Sequence, residues 1–286
     1  MNTLIYIFLC IVWGTTWLAM KIGLQEMPPL LGAFVRMLLA ALILIIYNQI
    51  TAQSLQGNWK DKLKIAWPGL FIYGVPYALI YYGMQYVNSG MAAIFFATLP
   101  LFVVPFVPLM VKSEIITFQS VIGVIIGFAG VIVIFNGSIS LDENSILGAI
   151  LLLIASSISG FFTVYLKAYL SKAPIAPMLA WHFAIGGTFL LLLSTATENW
   201  SGNYFNFTVI GSILYLTVFG SILGFAGFYW LIRRISTLKI SMVAFITPIT
   251  ALIVGYLILN ETLGLYDGLG STLVLASILI VNHKKN

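Results

Sequence analysis

The sequence predicts an all-α membrane protein of ten transmembrane helices, arranged as two inverted five-helix repeats, and three observations carry that prediction. The 286 residues are 61% hydrophobic and only 7% charged, against about 25% charged in an ordinary soluble domain, and their mean hydropathy is +1.06. Apolar runs close to the ~20 residues that cross a bilayer as a helix follow one another with short connections. A few residues of the two halves also match in order, at offsets of 146 to 148, when the chain is slid along itself.

Read by apolar run and turn punctuation, the spans fall near 3–24, 28–50, 65–87, 90–111, 118–136, 146–170, 176–197, 208–232, 239–259 and 264–282. The first run is long, lacks a basic leader and shows no small-residue cleavage pattern before Lys21, so it is a membrane helix rather than a signal peptide. It holds the single cysteine, Cys10, which leaves neither a disulfide framework nor a cysteine-based metal site. Span 2 opens on Pro28 and Pro29. Pro68 and Pro76 in span 3, Pro100, Pro105 and Pro108 in span 4, and Pro248 in span 9 each free a backbone carbonyl and bend their helix. Gly123, Gly127 and Gly130 in span 5 suit close helix packing.

Charge sets the orientation. With the N-terminus in the cytoplasm, the inside segments hold Lys60, Lys62, Lys64, Lys112, Lys167, Lys172, Arg233, Arg234, Lys239, Lys284 and Lys285, eleven of the thirteen basic residues, and the outside loops hold none. That asymmetry predicts both termini inside, in a bacterial inner (plasma) membrane. It also accounts for the net charge of +5 without a nucleic-acid partner. The two basic residues left over are Lys21, near the outer end of span 1, and Arg36. Lys21 has two readings, a side chain snorkelling to the interface or a cavity group. Arg36 lies about eight residues into span 2, or ~12 Å below the outer boundary, where a cation needs a wet cavity or a partner.

At an offset of 146, Gly14, Lys21, Leu24 and Pro28 align with Gly160, Lys167, Leu170 and Pro174. At 148, Phe71, Tyr81 and Pro100 align with Phe219, Tyr229 and Pro248, and at 147, Glu114 and Gly123 align with Glu261 and Gly270. The expected units are residues 1–137 and 145–286. Five helices per unit is an odd number, so the second must run inverted. Such a pair supports alternation between two similar states around a midplane site, with the symmetric Pro100 and Pro248 as candidate hinges.

Several motifs in these spans also carry a resemblance. Trp13, Gly14, Thr15, Thr16 and Trp17, then Pro28 and Pro29 followed by Arg36, then Thr98-Leu99-Pro100, Thr247-Pro248 and Asn260-Glu261-Thr262 are similar to those of an EamA-type permease of the drug/metabolite transporter superfamily. The resemblance covers both halves of the chain. It implies a central cavity lined by helices 1 to 4 and 6 to 9, peripheral helices 5 and 10, and small metabolites or drugs as substrates, commonly exported.

Trp13, Trp17 and Lys21 recur every four residues on span 1, as do Tyr73, Tyr77, Tyr81 and Gln85 on span 3. Interfacial anchoring suits Trp67 and Trp200, whereas Trp13, Trp17 and Tyr77 are mid-span and are placed at the pathway. Ser159, Thr163 and Lys167 form a polar stripe on span 6, and Tyr229 is the repeat mate of Tyr81. His182 occupies the repeat position of Arg36 and is the titrating group at depth near neutral pH. The expected substrate-binding set is therefore Trp13, Trp17, Lys21, Arg36, Tyr77, Tyr81, Ser159, Thr163, His182 and Tyr229. Catalytic residues, metal ligands and cofactors are not expected, nor is an obligate protein partner: two histidines and one cysteine assemble no enzyme site. The spans contain no Asp or Glu at their cores, which disfavours a proton-coupled exporter of cations. Arg36 and the aromatic face point instead to amino acids or related carboxylates. A phosphorylated-sugar or nucleotide-sugar exchanger is the alternative, and it calls for more cations in the cavity.

Overall fold

A computed structural model of the chain describes residues 1–87, 89–134, 143–202, 204–259 and 264–282. The Asn260-Glu261-Thr262 motif, Asp142 and the basic tail at Lys284 and Lys285 lie outside the described residues, as does the junction at 138–142. Among the described residues every regular element is helical. Six helices are long and apolar enough to cross a membrane: α1 (Asn2–Leu24), α2 (Pro29–Ile50), α3 (Trp59–Gly83), α6 (Ser145–Leu170), α7 (Ile175–Thr197) and α8 (Phe207–Ile232). Four shorter apolar helices are α4 (Ser89–Val103), α5 (Phe118–Ile134), α9 (Thr237–Thr250, helical onward to Leu259) and α10 (Leu265–Asn282).

The starts and stops follow local chemistry. Pro29 occupies the first turn of α2, where a missing N–H costs nothing. The α2 N-terminus is closed from α7: the Leu30 and Leu31 amides donate to the two carboxylate oxygens of Glu198 at 2.8 and 2.9 Å, and Ser194 Oγ donates to the same group at 2.6 Å. A carboxylate there satisfies orphan donors and sits at the positive end of the helix dipole. α3 begins six residues before the span read from hydropathy. Its first two turns, with Lys60, Lys62 and Lys64, are amphipathic, and Asn58 caps them by accepting from the Asp61 amide at 3.0 Å.

The fourth span departs most from the expected single run over 90–111. The helix is interrupted after Phe96 and again after Val103, and resumes only as the short turn Val107–Met110. Pro100, Pro105 and Pro108 remove three amides in nine residues, which is more than one kinked helix absorbs. π-helical turns at Leu70–Gly74 in α3, Leu166–Leu170 in α6 and Leu216–Leu223 in α8 are further departures from regular α-helix.

Packing is pairwise. α2 lies along α7, and α5 along α10. α1 packs on α9 and α8 as α6 packs on α4 and α3, and α2 meets α8 as α7 meets α3. At the α5–α10 crossing the backbones nearly touch: a Cβ on Gly130 would fall 2.8 Å from the Gly270 carbonyl oxygen, and one on Gly270 would fall 2.5 Å from that of Gly130. α5 and α10 stand to one side, and the other helices but α7 line a cavity, so the expected lining by helices 1 to 4 and 6 to 9 holds except for helix 7, which packs behind on α2 and α3.

Candidate functional site: a central cavity with one buried arginine

The cavity has a volume of about 130 Å³, roughly ten times what one water needs. Its walls come from α1, α2, α3, α4, α6, α8 and α9, with no contribution from α5 or α10. Most of the lining is aromatic or aliphatic, and the polar groups are few and specific.

Arg36 is the cation of the cavity wall and is only 2% exposed. The π-helical turn of α8 receives it. Its Nε donates to Ser221 Oγ at 2.7 Å, and a Cβ on the neighbouring Gly220 would lie 3.0 Å from Arg36 Nη2, so a larger residue would crowd the guanidinium. Its Cζ lies 5.1 Å from the centroid of the Tyr77 ring, a cation–π distance. Two ion pairs occur among the described residues, Lys64–Asp61 and Lys167–Glu114, and Arg36 is in neither.

The aromatic wall is built around two tryptophans. Trp13 lies between Phe225 and Phe228, with ring centroids at 5.1 and 5.4 Å, and its Nε1 donates to the Gly220 carbonyl at 3.2 Å. Trp17 meets Phe96 edge-on at 5.5 Å. Ser159 and Thr163 of α6 and Ser241 and Thr247 of α9 add hydroxyls.

Of the ten residues expected at the site, the structure places Trp13, Trp17, Arg36, Tyr77, Ser159, Thr163 and Tyr229 in the cavity wall and Lys21, Tyr81 and His182 outside it. Lys21 Nζ donates to the Met84 and Val87 carbonyls at 2.8 and 2.9 Å, closing the C-terminus of α3. Tyr81 is buried beside Met20 and Gly32, bordering a much smaller space. Gln85, the end of the same four-residue stripe, falls past the helix and is exposed. His182 is fully buried behind Tyr229, to which it is hydrogen-bonded at 3.0 Å. Sequence reasoning passed over Ser221, Thr16, Phe96, Ser241 and Thr247. A Gly-Ser pair at 220–221 inside an apolar helix was the available signal for the first. Pro100 is buried in α4, and Pro248 lies inside α9 next to Thr247. Among the described residues no cluster of three or more His, Cys, Asp or Glu gathers.

Residues 1–136 and 146–283 both match the EamA-like transporter family. The chain belongs to that family. Its relatives include the uncharacterized transporter YvbV of Bacillus subtilis, 32% identical over 99% of this chain and 92% of the relative. The uncharacterized inner membrane transporter YedA of Escherichia coli is 30% identical over 97% and 89%, and YoaV of Bacillus subtilis 28% over 94% and 92%. A solved crystal structure only 14% identical superposes with a TM-score of 0.81 over 98% of this chain and 97% of the other, which is a likeness of fold. EamA-like membership and six apolar helices of spanning length together make this an integral membrane transporter.

Proposed function

We propose that this EamA-family transporter is a secondary carrier that exports amino acids or related carboxylate-bearing metabolites by alternating access. The observation that carries the proposal is a lone, fully enclosed arginine in the wall of an otherwise aromatic and hydroxyl-lined cavity. A buried guanidinium without a carboxylate partner is costly unless cavity water and carbonyls or a visiting anion compensate it, and the rings around Trp13 and Trp17 suit an apolar side chain. The rival reading, a phosphorylated-sugar or nucleotide-sugar exchanger, needs several cations for a dianion, and among the described residues Arg36 is the one basic residue in the wall. Counterflow tests the carrier: proteoliposomes preloaded with a mixture of unlabelled amino acids should transiently accumulate a labelled member of that mixture. Absence of accumulation for every amino acid and deaminated acid tried would remove the proposed substrate class.

The alternation we propose uses ten spans in two inverted five-helix repeats, with both termini cytoplasmic and Pro100 and Pro248 as hinges. Support comes from the packing, in which the contacts of α1 and α2 recur as contacts of α6 and α7 with the opposite half. It also comes from the lysines. Lys21 holds the carbonyls of Met84 and Val87, and Lys167, its repeat mate, holds those of Ile232 and Ile235, their mates at an offset of 148. Cysteines placed at Lys62 and at Ser201 should label from opposite sides of the membrane, Lys62 from the cytoplasm. Labelling of both from one side would end the inverted topology.

A further inference from the structure

Four of the cavity hydroxyls share a property that their residue types do not reveal: their protons are committed. Thr16 Oγ1 donates to Trp13 O at 2.8 Å, Thr163 to Ser159 O at 2.7 Å, Ser241 to Leu238 O at 2.7 Å and Thr247 to Ala244 O at 3.0 Å, all back into the preceding helical turn. A hydroxyl that has spent its proton offers a visitor only lone pairs. Tyr229 obeys the same logic by a longer route. His182 Nε2 lies 2.7 Å from the Ile65 carbonyl oxygen, which can only accept, so the ring proton is on Nε2. In a neutral ring Nδ1 is then an acceptor, and a fully buried imidazole with no carboxylate beside it among the described residues is best kept neutral. The Tyr229 hydroxyl therefore donates to Nδ1 at 3.0 Å, while Tyr73 Oη donates to Tyr229 Oη at 3.1 Å. Protons run in one direction, from Tyr73 to Tyr229 to His182 to Ile65, and the oxygen of Tyr229, a residue of the cavity wall, is left with no proton to donate.

We propose that His182 is a positioning residue that holds Tyr229 as a hydrogen-bond acceptor, so that the cavity, one cation facing a set of acceptors, selects ligands carrying a protonated amine beside their anionic group. The proposal rests on Arg36 as the anchor of that anionic group. A zwitterion satisfies both poles, whereas a plain carboxylate of the same skeleton leaves the acceptors dry and unpaired, which a site built of acceptors penalises.

The test is tryptophan-fluorescence titration of the purified full chain, which Trp13 and Trp17 in the wall make possible. The ligands are phenylalanine against 3-phenylpropionate and 3-phenyllactate, with leucine against 4-methylpentanoate in parallel. The amino acid of at least one pair is expected to bind at least about tenfold tighter than its deaminated partner, the value of hydrogen bonds to a charged group. His182→Leu should bring that ratio toward one by weakening the amino acid alone. His182→Asn, whose Oδ1 can accept from Tyr229, should retain most of it. A merely structural role for His182 would weaken both members of a pair together. Should His182→Leu fail to fold, Tyr229→Phe removes the acceptor oxygen itself and carries the same expectation. Ratios unchanged in His182→Leu and Tyr229→Phe, or 3-phenyllactate binding as tightly as phenylalanine, would overturn the assignment while leaving Arg36 as a carboxylate anchor. Binding of neither member of either pair would overturn the anchor and the assignment with it.

Discussion

Arg36→Gln is expected to weaken substrate binding about tenfold to a hundredfold in a protein that still folds and inserts. The guanidinium is 2% exposed, and its Nε is taken by Ser221 at 2.7 Å. Its Cζ lies 5.1 Å from the Tyr77 ring centroid. Replacing it with a neutral amide removes the charge-assisted contact that the proposed carboxylate substrate would make, worth ~1.5 to 3 kcal/mol, which is the stated range in affinity. Arg36→Lys should recover only part, because an ammonium cannot use Ser221 and a carboxylate in the same planar fork. Trp17→Ala should weaken binding chiefly of ligands with large side chains, since it removes ring area at Phe96 and no charge. Titration or counterflow of the three variants, after circular dichroism and size exclusion confirm folding, provides the measurement. Unchanged affinity in Arg36→Gln would leave the residue a structural one and end the case for an anionic substrate.

Depth and charge were legible in the sequence, whereas facing was legible only in part. Arg36 could be placed because a cation eight residues inside an apolar run has few tolerable surroundings whatever the packing. The tyrosine stripe of α3 was harder. Residues four apart advance about 40° per step on a helix of 3.6 residues per turn, so Tyr73, Tyr77 and Tyr81 fan across about 80°. The π-helical turn at Leu70–Gly74 lies immediately before and across its start. Tyr73 accordingly packs behind the wall against Phe183, Tyr77 faces the cavity and Tyr81 turns toward Gly32. The same drift carries Lys21 off the face of Trp13 and Trp17 and onto the carbonyls that end α3.

Helix boundaries divide along similar lines. α2 and α7 begin within about a residue of expectation because prolines at 28, 29 and 174 mark their first turns. Hydropathy alone carries no period, so it could not separate α from π turns, nor one kinked span from the broken α4. Thr16 and Thr247 stood in the motifs that carry the resemblance, yet their cavity role, like that of Ser241, was not legible for a related reason: isolated small polar residues on apolar helices most often serve packing, and only their position on one cavity distinguishes them.

Lys167→Met is expected to cost ~3 kcal/mol of stability, a loss that reads as a lower unfolding midpoint of the purified protein. Lys167 Nζ reaches Ile232 O at 2.5 Å, Ile235 O at 3.0 Å and Glu114 Oε1 at 3.4 Å. Glu114 Oε2 in turn accepts from the Thr237 amide at 2.7 Å, at the first turn of α9. One ammonium thus ties α6 to the end of α8, the start of α9 and the connection that follows α4. The two side chains are 16% and 11% exposed. Removing one member of a buried pair leaves the other charge uncompensated, typically at 3 to 5 kcal/mol, and the residual exposure puts this pair at the low end. Glu114→Gln should cost less, about 1 kcal/mol, because an amide oxygen still accepts from Thr237 and Lys167 keeps its two carbonyls. The double variant should fall short of the sum of the single losses, as expected for partners in one network. Lys172→Met is the control, since Lys172 is exposed and five residues along the same segment. Equal losses in Lys167→Met and Lys172→Met would assign the effect to the positive charge of that segment alone and dissolve the network as a structural unit.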